Sequence, residues 1–310
     1  MSALDLKKLR VQDPVLTKLA YGYHNNDLVG DSLMPIVEID KEAGKIPTFG
    51  RLAFRVPTTV RQVRGKSNRL EPEDIGSIDV ALEEHDLEYA IDYREDNEAS
   101  FPLRQYALST VQDVIALGRE KEIATLAQNE ANYESTNKVV LSGESQFDHA
   151  NSNPFKVIDD AKHAIKRSIG HKPNVCVIAG DVWEILKEHP SVIEKVKYVQ
   201  KGIITPEIFA GLIDVETVKI GEAVYEDSSL LKDIWTDTVV LAYVPTSSDK
   251  KGTVYQPSYG YTVRRKDGLF VDTYVENGGK LEVVRCTDIY NPHVLGKVAG
   301  FLIKDCLKKG

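Results

Sequence analysis

Apolar side chains recur at helical spacing between residues 100 and 132. Leu103, Ala107, Val111, Val114, Ile115 and Gly118 share one face of a helix, whereas Ile123, Leu126 and Ala127 lie on a face rotated from it. The pattern predicts one long helix, about 45 Å at 1.5 Å per residue. Ser100 is placed to cap it, and Pro102 is tolerated in its first turn. The rotation predicts that the first half meets one partner and the second half another, with Gly118 permitting close approach where the stripe changes face. Such a length exceeds the diameter of a small domain, so the helix reads as a spine across an extended molecule.

Ahead of the spine, residues 5–19 show a short helical pattern broken by Pro14, followed by the polar stretch HNNDLVGDS. Residues 1–35 read as an arm loosely attached to its own subunit. Residues 46–57, including TFGRLAFRV, suit a strand, and 75–93 form a second extended run. In that run Ile78, Val80 and Leu82 alternate, then Leu87, Tyr89, Ile91 and Tyr93 alternate on the opposite parity. The phase change predicts a bulge or bend between Leu82 and Leu87. The connection TTVRQVRGKSNRLEPED has no clear core face, and so long a connection is usually functional or mobile. Residues 46–93 therefore read as one long projecting hairpin.

After the spine come a short strand at 139–143 and a loop, SGESQFDHANSNP. Asn153 and Pro154 then open a helix as N-cap and first residue, with Phe155, Ile158, Ala161 and Ile165 on one face and Gly170 as the stop. The continuous apolar run at 174–179 predicts a buried strand. Gly180-Asp181 turns into a helix carrying Val182, Trp183, Ile185 and Leu186, which ends at His189-Pro190, and a further helix covers 191–198. The remainder is richer in strands, at 215–220, 239–244, 259–265, 269–275 and 281–288, with Gly278-Gly279 as a hairpin turn. Residues 292–306 suit either a strand or a short helix. The whole is an α+β pattern without internal repeats.

Charge changes the picture in one region. The net charge of −8 argues against a protein that condenses nucleic acid by neutralising phosphates. From Lys45 to Arg69 there are seven basic residues and no acidic one, whereas residues 70–98 hold twelve acidic residues against Arg94 alone. One reading is that opposite charges face each other across one hairpin, adding a few tenths of a kcal/mol per exposed pair. A sharper reading sets a basic tip on one subunit against the acidic segment of its neighbour, which supplies orientation and on-rate. On it, Arg51, Arg55, Arg61, Arg64, Lys66 and Arg69 meet Glu83, Glu84, Asp86 and Glu88 across a subunit interface. A nucleic-acid arm would need aromatic stacking partners, and only Phe49 and Phe54 are near, both at strand positions.

Composition bounds the class. With 42% hydrophobic and 28% charged residues the chain is that of a folded, soluble protein, and its 310 residues suggest two domains of ordinary size. No apolar run approaches the roughly 18 residues of a spanning helix, and MSALDLKKLR lacks the apolar core of a signal peptide. The expectation is a protein made in the cytoplasm, with no membrane partner. Cys176, Cys286 and Cys306 are odd in number and far apart, which fits buried reduced thiols better than disulfides or a zinc site.

Motifs for chemistry are absent. Strand-Gly-Asp-helix at 174–186 lacks the phosphate-loop glycines, and Asp181 fits helix capping better than phosphate binding. Glu83, Glu84, His85, Asp86 and Glu88 alternate between strand faces and cannot converge on one ion. Asp148-His149-Ala150-Asn151 lacks the rest of a calcium loop, and neither H-E-x-x-H nor G-x-S-x-G occurs. Tyr259, Tyr261 and Tyr274 with Arg264 and Arg265 either line a binding surface or cover a sheet. No cofactor, metal or catalytic group is expected, and the chain reads as a structural or binding protein.

The order of arm, charged hairpin, spine helix, α/β block and returning strands resembles the major capsid protein of tailed bacteriophages, the Hong Kong 97 type of shell fold. NRLEPEDIGSIDVALEEHDLEYAIDYRE running into the spine is similar to the returning half of that family's E-loop. NPFKVIDDAKHAIKRSIGHKPNVCVIAGDVWEILKEHPSVIEKVKY resembles the opening of its A-domain, and VKIGEAVYE with TDTVVLAYVP resembles later A-domain strands. The resemblance implies an N-terminal arm at 1–40, an E-loop hairpin with adjoining P-domain strands at 41–98, and the P-domain spine with the following strand at 99–150. It places the A-domain at 151–275 and returning P-domain strands with the C-terminus at 276–310.

The resemblance also implies self-assembly into pentamers and hexamers of an icosahedral capsid that encloses double-stranded DNA without binding it specifically. The E-loop would lie over an adjacent subunit. Arm and E-loop use all the residues before the spine, so a separate scaffolding protein is expected, with a portal as a further partner and a decoration protein left open. Assembly would take place in the bacterial host cytoplasm. Some relatives weld subunits by a lysine-asparagine isopeptide bond. Lys66 lies near the E-loop tip, but no asparagine can be placed opposite it, and no crosslink is expected. Two alternatives remain at this point: an encapsulin-type compartment of the same fold, and a soluble α/β enzyme.

Overall fold

A computed structural model describes residues 13–21, 28–47, 59–61, 63, 66–68, 77–197, 204–245 and 258–308. Among the described residues the N-terminal part holds two short helices, α1 (Pro14–Tyr21) and α2 (Gly30–Leu33), and the strands β1 (Ile36–Ile39), β2 (Ala43–Pro47), β3 (Ser77–Ala81) and β4 (Glu83–Asp92). A turn of helix, α3 (Tyr93–Glu98), precedes the spine, α4 (Leu103–Ala127). Pro14, expected to break a helix, instead begins α1, where its missing N–H is not needed.

The spine is shorter than its periodicity suggests. Its 25 residues span about 37 Å at 1.5 Å per residue. Pro102 occupies the N-cap position without a side-chain cap, so Ser100 has no capping role, and residues Glu130–Asn132 form a separate turn capped by Asn129. The change of face is real. Ala107, Leu108 and Val111 pack with Leu16 and Ala20 of α1 and with Ile91, whereas Ile123, Ala124 and Ala127 enter a second, larger core. Two details differ from the expectation. Val114 is 52% exposed, and Gly118 is exposed, with no atom within 4 Å of where a Cβ would stand. Gly118 marks the transition without making a close contact.

Beyond the spine the chain forms β5 (Lys138–Val140), α5 (Pro154–Ile169), β6 (Val175–Ala179), α6 (Gly180–Glu188), α7 (Pro190–Val196) and α8 (Pro206–Ile213). Helix α5 begins and ends as its sequence indicates, with Asn153 accepting from Lys156 N and Gly170 at φ 73°. Asp181 does not cap α6. Ala179 holds that position, and the Asp181 carboxylate instead accepts from the N–H groups of Val182 and Asp237. His189 caps α7 by accepting from Ser191 N. Strands β7 (Thr217–Gly221), β8 (Val224–Asp227), β9 (Leu230–Asp233) and β10 (Thr238–Ala242) follow.

The last strands are β11 (Gly260–Arg265), β12 (Phe270–Glu276), β13 (Leu281–Val294) and β14 (Gly300–Lys304). Gly278 and Gly279, at φ 66° and 95°, make the turn between β12 and β13, as their sequence predicts. Strand β13 outruns the predicted 281–288 and continues through Pro292, which sits opposite Thr262; Thr262 directs its N–H to Pro35 on its other side. Residues 292–306 are thus the end of one strand and the whole of another.

Among the described residues two five-stranded sheets result. In one, β13 is flanked by β4 along one edge and by β11 and β12, with β1 beyond β11. The other runs β5-β14-β10-β6-β7, and its Val177, Ile178, Val240, Leu241 and Leu302 form the floor of the larger core. The spine reaches from the first sheet to the second. Strands β2 and β3 make a separate hairpin, in which Lys45 pairs with Asp79. The single hairpin expected over 46–93 is not what the described residues form: its returning run divides at Leu82, where the predicted phase change begins, so that β3 stays with β2 while β4 leaves the hairpin for the longer edge offered by β13. Residues 48–58 of the expected strand 46–57 lie outside the described residues.

Candidate assembly interface

Strand β4 sorts its acidic side chains by parity. Tyr89 and Ile91 face α4, and the pairing of Glu83 with Tyr290 and of His85 with Asp288 puts Glu83 on that same side. Glu84, Asp86 and Glu88 point to the opposite, outer face. All four acidic residues are exposed. Asp86 accepts from Thr287 Oγ1 at 2.5 Å and Glu88 from the Tyr274 hydroxyl at 2.6 Å. That bond to Glu88 pushes the Tyr274 hydroxyl up to about 12. Beside them Arg285 is bound by Asp272. Among the described residues no three His, Cys, Asp or Glu side chains are grouped to hold a metal.

Of the basic residues, Arg61 and Lys66 are exposed. Arg51, Arg55, Arg64 and Arg69 lie outside the described residues. Lys45 and Asp79, paired across the β2–β3 hairpin at 3.7 Å, are both highly exposed, so their contribution is a few tenths of a kcal/mol. Tyr259 and Tyr261 are fully buried rather than surface-lining; the Tyr259 hydroxyl donates to that of Tyr133 at 2.7 Å. Arg264 is bound by Asp288 and Arg265 by Glu42. The three cysteines are buried and free. Burial pushes the thiols of Cys176 and Cys286 up to about 12.

One buried polar junction is not legible in the sequence. Glu120, on the spine, is 3% exposed. Its carboxylate accepts from Val29 N at 3.1 Å, Gly30 N at 2.8 Å and Trp235 Nε1 at 2.7 Å. Burial raises its pKa, and the three donors oppose that rise. One side chain thereby fixes the start of α2 and the segment before β10 to the spine. Next to it Arg119 bridges Asp31 and Asp288 and lies over the Tyr290 ring. Arg119, Asp31 and Asp288 line a cavity of about 520 Å³ between α1, α4 and the sheet. A lone acidic residue between Arg119 and Lys121 carries the pattern of a solvated face, and only the three-dimensional donors reveal its role.

The family described as Phage major capsid protein E matches residues 24–280. The major capsid protein of Burkholderia phage BcepMu is 51% identical over 300 residues, covering 96% of this chain and 97% of that protein. A crystal structure of a phage-related protein from Bordetella bronchiseptica RB50 superposes with TM-score 0.82 at 30% identity, covering 96% of this chain and 98% of the other. A structure from Mycobacterium phage Che8 shares the fold at TM-score 0.51 and 15% identity, covering 86% of this chain and 85% of that one.

Proposed function

This chain belongs to the phage major capsid protein E family, and from that premise we propose that it builds pentamers and hexamers of an icosahedral shell around double-stranded DNA. It is a structural major capsid protein, part of the virion, that associates with itself into shells, and its fold is of the Hong Kong 97 type. The observation that carries this is the 51% identity to a phage major capsid protein across nearly the full length of both chains. The same identity favours the phage shell over the encapsulin-type compartment and the soluble enzyme.

The finer reading assigns 1–40 to an arm, 41–98 to the E-loop and its strands, 99–150 to the spine region, 151–275 to an A-domain and 276–310 to returning strands. Its basic loop, with Arg51, Arg55, Arg61, Arg64, Lys66 and Arg69, lies over the acidic β4 of a neighbouring subunit at Glu83, Glu84, Asp86 and Glu88. Two facts support it: Arg61 and Lys66 are exposed, and Glu84, Asp86 and Glu88 share the outer face of a strand whose one described pairing is with β13. A separate scaffolding protein and a portal complete the partners, assembly occurs in the host cytoplasm, and DNA is enclosed without specific contacts. No isopeptide crosslink forms at Lys66.

Charge reversal tests the interface. Arg61→Glu with Lys66→Glu lowers the yield of particles, and adding Glu84→Lys with Glu88→Lys restores part of it. Unchanged assembly of the first variant contradicts the interface. A covalent ladder from mature particles on a denaturing gel contradicts the absence of a crosslink.

A further inference from the structure

The hairpin formed by β8 and β9 carries apolar side chains in the wrong place for a free surface. Leu231 is 74% exposed, Leu230 67% and Val224 41%. Two strands alone are marginal in water, so this hairpin depends on what holds it. Its turn, Ser228-Ser229 at φ 53° and 72°, matches the twist of a tight two-residue hairpin. At its base Tyr225 packs on the larger core, and Lys121 of the spine lies 3.7 Å from the centre of the Tyr225 ring. The register then sorts the two faces. Val224 pairs with Asp233 and Glu226 with Leu231, so these four share the face opposite Tyr225. That outward face holds two apolar and two acidic side chains.

A complementary surface lies elsewhere on the same chain. A groove of about 630 Å³ between α1 and the first half of α4 is lined by Pro14, Val15, Leu19 and Leu108, with Lys18 at its polar edge. Val15 and Leu19 are 68% and 48% exposed. Hairpin and groove cannot meet within one chain. Lys121, under the hairpin, lies about 160° around the spine from Gln105, which borders the groove, and about 20 Å along it from Leu108.

We propose that the outward face of the β8–β9 hairpin, with Val224 and Leu231, docks into the Pro14–Leu19 groove of a second copy of this chain. The inference rests on the shell-building reading and specifies one contact within it. Three features select a second copy as the occupant. The groove is apolar with Lys18 at its edge, and the hairpin face is apolar with Glu226 and Asp233 beside it, so polarity and charge match. The two patches differ, so their pairing is heterologous and repeats around a ring. The hairpin is held by its turn and by Lys121, so docking orders little that is not already ordered.

The test uses particles assembled from the full chain. The native thiols are buried, so Val15→Cys with Leu231→Cys introduces the reactive pair. Treatment of intact particles with a short bis-maleimide is expected to give a ladder of covalent oligomers on a denaturing gel, and neither single variant gives one. A second arm needs no crosslink: Lys18→Glu lowers the particle yield about tenfold, and adding Asp233→Lys restores it. Particles of the double-thiol variant that form normally but give no ladder overturn this contact and leave the shell reading intact. A yield unaffected by Lys18→Glu, or unrestored by the reversal, does the same. A wild-type chain that never assembles overturns both.

Discussion

The indole Nε1 of Trp235 donates a hydrogen bond to Glu120 at 2.7 Å, joining the segment before β10 to the middle of the spine. The same carboxylate holds Val29 and Gly30, so one buried acid keeps three parts of the chain in register. Glu120→Gln keeps the shape but turns an amide N–H₂ towards donors, and Glu120→Ala leaves them unpaired. Both are expected to lower stability by about 1–3 kcal/mol, read by denaturant unfolding.

This acid also makes a signed contribution to pH dependence. Burial holds its folded-state pKa above the unfolded value, so over that interval the folded chain keeps a proton that the unfolded chain releases. Its contribution therefore rises as pH falls from the folded pKa to the unfolded one and is constant below it. Comparing unfolding free energies across this window, wild type should gain stability relative to Glu120→Gln as pH falls. A constant difference would show that the carboxylate is not shifted.

Two glycines should behave oppositely. A Cβ on Gly30 would stand 2.7 Å from Glu120 Oε2, whereas one on Gly118 meets nothing within 4 Å. Gly30→Ala is expected to cost about 1–3 kcal/mol. Gly118→Leu should fold and assemble normally, the reverse of what the rotation of the stripe implies by itself. Thermal unfolding of the two variants side by side decides this.

The thiols give a further expectation. Cys176, Cys286 and Cys306 are buried, and Cys176 and Cys286 are pushed up to about 12, so the native protein holds almost no thiolate near neutral pH. An aromatic disulfide reagent should label none of them in the folded chain and all three after denaturation. Rapid labelling of the native protein would contradict the burial.

Much of the architecture is legible because it follows from local rules. Asn153, Pro154 and Gly170 bound a helix by capping, and the parity change after Leu82 marks where the extended run bends, although not that β4 leaves the hairpin for β13. The spine's two partners are readable from Ala107, Val111 and Ile123. What escapes the sequence depends on contacts far along the chain. Val114 fits the apolar stripe yet is exposed because no described element covers that side, and Asp181 divides its carboxylate between Val182 of its own helix and Asp237, 56 residues away. Glu120 needs the donors of Gly30 and Trp235, 90 and 115 residues away. The alternation that sets Glu83 apart from Glu84, Asp86 and Glu88 is visible in the sequence, whereas the pairing of β4 with β13, about 200 residues away, is not.

The central claim is that this chain builds a shell, and the mass and form of the purified protein test it most directly. Static light scattering with electron microscopy should show capsomers and closed particles of uniform size. A persistent monomer that binds a small metabolite and never forms capsomers or shells would contradict the account.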